Sequence, residues 1–149
     1  MRLLKITVAF LILVFYSCSK NQHAGSTLEK TAALSVDFDS LSVKTVQEQI
    51  KGRWRLRRIT GGFGGPQVTH PVTHNPYIIL SEDHLVMGND SLGVFVDAPI
   101  TWAPATQFGS GYVLSTPNDA VQLVPSGIRN DTLYLLQYAA DGVTYHYTR

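Results

Sequence analysis

Gly52-Arg53-Trp54-Arg55-Leu56-Arg57-Arg58-Ile59 is the stretch on which the reading of this chain turns. On an extended strand successive side chains point to opposite faces, so Trp54, Leu56 and Arg58 share one side and Arg53, Arg55 and Arg57 the other. Trp54 and Leu56 can then be buried while the three arginines stay in water. That is the pattern of an antiparallel strand with one face on a core. Trp54 is expected to be the first large core residue. Everything before this strand reads as delivery and tether, and everything after it as short strands and turns.

Downstream, Gly61-Gly62-Phe63-Gly64-Gly65-Pro66 and Thr69-His70-Pro71-Val72-Thr73-His74-Asn75-Pro76 read as a long mobile loop. Glycines that cradle a phosphate must run into a helix N-terminus, and the prolines here leave no room for one. Tyr77–Leu80 and Leu85–Met87 flank a four-residue hairpin loop, Ser81–His84. Val94–Val96, Ile100–Trp102, Tyr112–Leu114 and Val121–Val124 are further short strands. The last hairpin is predicted to run from Leu133 to Ala140, turn at Asp141-Gly142, and return from Val143 to Arg149. A two-residue Asp-Gly turn pairs Tyr145 with Tyr138 and Tyr147 with Leu136. One face then carries Tyr134, Leu136, Tyr138, Val143, Tyr145 and Tyr147, and this aromatic face is the one expected to be buried. The prediction is an all-β fold: a small antiparallel barrel of about eight short strands.

Upstream, Thr45-Val46-Gln47-Glu48 has the capping-box pattern and predicts a short helix with Thr45 as its N-cap, stopped by Gly52. Residues 18–44 are polar, small and without sustained periodicity, and read as a flexible tether. Arg2 and Lys5 precede an uncharged apolar run, Ile6–Tyr16, too short for a bilayer span of about 20 residues but of signal-peptide length. Cys18, the single cysteine, follows at once, so no disulfide can form within one chain. The arrangement resembles the signal of a bacterial lipoprotein, in which a lipobox precedes a cysteine that is cleaved and acylated. Ser17 fits the box; Phe15 and Tyr16 replace its usual first two residues. The resulting division is a lipoprotein signal peptide over 1–17, a tether over 18–44 and a barrel domain over 45–149. Loss of the leader leaves ten basic residues against eleven acidic ones. That near balance gives no reason to expect nucleic acid as a partner.

Gly52-Arg53-Trp54 after a short helix resembles the Gly-x-Trp that opens the first strand of lipocalins, and Tyr145–Arg149 is similar to the closing strand of small lipocalin-like domains in bacterial lipoproteins. The resemblance covers Gln47 to Arg149 and implies that Arg149 stacks on Trp54 where the barrel closes. It also implies a small hydrophobic ligand, with Phe95, Trp102, Tyr112, Tyr145 and Tyr147 as candidate lining residues. The competing expectation is a barrel filled by those same aromatics, serving as a structural or interaction module of the cell envelope. His70 and His74 are four apart, but prolines exclude the helix that would pair them, and zinc needs three or four convergent ligands; no metal is expected. No nucleophile is paired with a base, so the chain is read as non-enzymatic and without a cofactor. Its expected location is the cell envelope, lipid-anchored through Cys18, in the outer membrane.

Overall fold

The arginine-rich stretch lies on a strand of ten residues, Gly52–Gly61, that buries Trp54 and Leu56. The computed structural model describes residues 35–108 and 110–149. Cys18, the leader and the first part of the tether lie outside them. In chain order the elements are β1 (Ser35–Asp37), α1 (Val43–Ile50), β2 (Gly52–Gly61), β3 (Thr69–His70), β4 (Tyr77–Leu80), β5 (His84–Asn89), β6 (Gly93–Pro99), β7 (Thr101–Pro104), β8 (Tyr112–Ser115), β9 (Gln122–Arg129), β10 (Thr132–Gln137) and β11 (Val143–Thr148). All pairings are antiparallel. The order across the sheet is β6-β5-β4-β2-β11-β10-β9-β8-β7, with β1 added on β9 and β3 on β2. First and last long strands, β2 and β11, are neighbours. The two ends of the path, β6 and β7, are joined in the chain through Ile100 alone. The result is a nearly closed antiparallel barrel. Among the described residues it has eleven strands where about eight were expected, because β1 and β3 are too short to carry a periodic signal.

The core fills the barrel with Phe38, Trp54, Leu114, Leu133, Leu135 and Tyr147 among its buried members. A smaller cluster, Ala105, Val113 and Val124, packs with Leu136 and Tyr138. Val113 and Leu114 are successive residues in different clusters, so β8 is covered on both faces.

Four local expectations are corrected. The N-cap lies three residues before Thr45: it is Ser42, its Oγ accepting the Thr45 N–H at 3.2 Å. Starting there gives two full turns and places Val46 and Ile50, four apart, in the core. The end of the predicted tether is also structured. Ser35–Asp37 pairs with Gly127–Arg129, and Phe38 is only 1% exposed. The glycine-rich segment is a hairpin rather than an open loop, since Ile59 and Thr60 pair with His70 and Thr69. Its tip is held by Gly61 N–H to Val68 O, Gly65 N–H to Gly62 O and Val68 N–H to Gly65 O, at 2.9–3.1 Å.

The final hairpin carries the fourth correction. Leu133 pairs with Tyr147, Tyr134 with His146 and Leu135 with Tyr145, a register three residues away from the expected one. An odd shift exchanges faces. Leu133 and Leu135 go into the core beside Tyr147, while Tyr134 and Leu136 take the opposite face, Leu136 packing on the smaller cluster. The connection is a longer loop over residues 138–142, because Tyr138 N–H bonds to Gln122 O instead of to β11. Asp-Gly is therefore not the two central residues of a tight turn.

Candidate functional site

At one end the barrel is closed by α1. Trp54 Nε1–H donates to Ile50 O at 2.7 Å, which ties the helix C-terminus to the core tryptophan; Phe38, earlier in the chain, and not Trp54 is the first large core residue. The structure brings Arg149 to this point: its guanidinium carbon stands 4.5 Å from the Trp54 ring centroid. Its Nη2 donates to Gln49 O and Lys51 O at 3.4 and 3.5 Å. First and last strands thus meet through a cation over an aromatic face. A cleft of about 90 Å³ beside this pair is lined by Gln49, Trp54, Ile128, Asp131 and Arg149. It has room for a few waters.

The residues put forward as a ligand wall have different settings. Tyr147 is sealed in the core at 2% exposure, and Tyr145 and Trp102 pack half-buried against that core. The Trp102 indole N–H donates to Glu82 O at 3.3 Å. Tyr112 is half-buried on β8, opposite Pro104. Phe95 is 57% exposed at a bulge of β6, where Met87 pairs with Val96 and Gly88 with Val94. Burial pushes the phenols of Tyr145 and Tyr147 above their ordinary range, for Tyr147 with a further push from Tyr145. Both are neutral packing groups at any physiological pH.

The outer face of β2 carries more chemistry than the interior. Asp90, on the β5–β6 turn, pairs with Arg55 at 2.9 Å and Arg53 at 4.0 Å, and Arg53 also stacks on Tyr77 at 3.9 Å. Farther along, Leu56 pairs with Tyr147 and Arg58 with His146, so one extra residue is accommodated on β2. This bulge turns Arg58 outward beside Arg57, correcting the strict alternation, and lets Ile59 pack on the core.

Arg58 thereby meets a buried histidine that the sequence did not single out. His146 is 8% exposed, edge-on to Tyr134 with centroids 4.8 Å apart. Arg58 Nη2 lies 3.4 Å from its Nδ1 and Thr60 Oγ1 2.8 Å from its Nε2. Arginine can only donate, so Nδ1 is the acceptor and Nε2–H donates to the Thr60 hydroxyl. Desolvation, and then the Arg58 charge, lower the His146 pKa. No local motif announces this cluster; only the β2–β11 register assembles it.

A second candidate space is an open cleft of about 300 Å³ between the β2–β3 hairpin and the β10–β11 loop. Thr60, Gly61, Gly65, Leu136, Asp141 and Thr144 are among its lining residues. The lining combines hydroxyls, backbone and one carboxylate with the apolar Pro66, Leu136 and Ala140, and has no aromatic ring. His70 Nε2 contacts Gly61 O at 2.9 Å, and His74 Nδ1 contacts Ser91 Oγ at 3.2 Å. These two histidines serve separate loop contacts. Among the described residues no group of three or more His, Cys, Asp or Glu side chains could hold a metal ion. No helix among them is long and apolar enough to cross a membrane.

No family model, no curated protein and no solved structure matches this chain.

Proposed function

We propose that this chain is a lipid-anchored protein of the bacterial cell envelope, held in the outer membrane by an acylated Cys18, whose lipocalin-like barrel acts through its outer surface. The observation that carries this reading is the packed interior. Trp54 and Tyr147, the largest inward side chains, are buried with Phe38, Leu133 and Leu135 where a lipocalin would keep its ligand. Large apolar side chains are instead presented outward at Phe63, Leu92, Val94 and Phe95. The role is that of a non-catalytic interaction module. The Trp54–Arg149 stack supports the lipocalin-like assignment.

Two measurements test the parts separately. Replacing Cys18 by Ser should abolish incorporation of labelled palmitate and release the protein from the membrane fraction. An unlabelled, soluble wild type sinks the anchor. Titration of the protein with fatty acids and hydrophobic dyes should leave tryptophan emission and melting temperature unchanged. A saturable shift in both would restore the reading of a barrel that binds a small hydrophobic ligand. The 300 Å³ cleft supports that alternative only weakly, because Pro66, Leu136 and Ala140 are the few apolar side chains in a mostly polar lining and supply little of the roughly 25 cal/mol per Å² that an apolar ligand needs.

A further inference from the structure

Phe63 stands at the tip of the β2–β3 hairpin and is 95% exposed, the most exposed large apolar residue described. Its setting is constructed rather than loose. Gly61, Gly62 and Gly65 have φ of 98°, 84° and 88°, which L side chains rarely adopt, and a Cβ on Gly64 would run into the Val68 side chain. Three backbone hydrogen bonds fasten the base of the tip. With glycines on both sides, nothing in the hairpin covers the ring.

The charge on the strand feeding this tip is one-sided. From Lys51 to Ser81 the chain holds Lys51, Arg53, Arg55, Arg57 and Arg58 and no aspartate or glutamate. Asp90 pairs with Arg55 and reaches Arg53, offsetting one of those two charges. Arg57 donates to the Thr148 hydroxyl and Arg58 lies against His146. Among the described residues neither has a carboxylate within ion-pair distance. Asp141 lines the neighbouring cleft.

We propose that the β2–β3 hairpin is a second membrane contact: Phe63 enters the headgroup region of an anionic bilayer while Arg57 and Arg58 face its phosphates. The proposal rests on the anchoring of Cys18. Seventeen residue steps separate Cys18 from Ser35, a span of at most about 60 Å even when fully extended. An acylated chain therefore keeps the barrel within reach of the surface. One apolar ring with two or more cations suits an anionic lipid surface, where apolar burial and attraction to acidic headgroups act together.

The test uses the acylated full chain in phosphatidylcholine vesicles, with and without phosphatidylglycerol. Cys18 is the chain's one cysteine, so once it is acylated Phe63→Cys supplies a unique thiol for a polarity-sensitive label. Leu92→Cys, at a position 79% exposed on the β5–β6 turn, supplies the comparison. On phosphatidylglycerol vesicles the label at 63 should shift to the blue and lose several-fold in quenching by iodide, while the label at 92 stays accessible. Arg57→Gln and Arg58→Gln should each weaken the docked state roughly fivefold. Phe63→Trp, quenched by brominated lipid, reads the same contact without a label. A label at 63 as accessible as that at 92 overturns the proposal, and so does shielding at 92 with none at 63. Palmitate incorporation without shielding at 63 overturns this contact and leaves the anchor standing. A chain that fails to float with the vesicles overturns both.

Discussion

Three residues, Trp54, Arg149 and His146, carry the tests at the residue scale. Trp54 combines a filled core site, a hydrogen bond to Ile50 O and the Arg149 stack. Trp54→Ala should therefore destabilise the barrel by about 3–5 kcal/mol. Arg149→Ala should cost only about 0.5–2 kcal/mol, the worth of a partly exposed cation over a ring. Urea denaturation of both variants measures the difference, and near-equal losses would show the stack to be the main term. His146 gives a pH test. Its folded pKa lies below the ordinary 6.5 because burial and Arg58 oppose a second ring proton. As pH falls through about 6.5 the unfolded chain takes up a proton that the folded barrel refuses, so stability declines until the folded pKa is reached. Melting temperatures from about pH 7.5 to about pH 5 should fall less steeply for His146→Gln than for wild type. Parallel slopes would remove His146 from the account. Trp54 and Arg149 were legible in the sequence as a resemblance. His146 was not, since its partners Arg58 and Thr60 lie far away in the chain.

At the scale of elements, bulges decide what the strands do. Strand β9 bends at Pro125: Tyr134 pairs with Gly127 but Leu135 with Pro125, which leaves Ser126 as the extra residue. The first part of β9 then pairs with β8 and the last part with β1. Gly127 permits this, because a Cβ there would stand 2.6 Å from Val36 O. Gly127→Ala should push β1 off the sheet and cost about 1–3 kcal/mol. Faster amide exchange confined to β1 and its β9 partners is the expected signature, and unchanged exchange there would refute it. The Tyr77–Leu80 hairpin was legible because its four-residue loop fixes the register, and Leu80 does pair with Leu85. The last hairpin was misread for the complementary reason: Asp141-Gly142 matches a tight turn locally, but Tyr138 finds a better acceptor on β9.

For the whole molecule, the domain reaches back to Ser35. Phe38 is fully packed and its N–H donates to Ser126 O at 3.3 Å. A chain beginning at Thr45 loses β1, Phe38 and the Ser42 cap together. It should melt roughly 10–20 °C below one that retains residues 32–44, given about 3–5 kcal/mol for a buried phenylalanine. Equal melting temperatures would mean that this segment is dispensable.

The β class, the antiparallel pairing and the core role of Trp54 and Leu56 followed from the sequence itself. Alternation along one strand and spacing between turns are local properties, and burial of one face enforces them. Tertiary structure alone decided the register of the last hairpin, the outward turn of Arg58, the Arg58–His146–Thr60 cluster and the inclusion of Ser35–Phe38. Each depends on which distant backbone groups are near enough to pair. A single inserted residue in either partner strand reverses which side chains meet, and no local pattern records it.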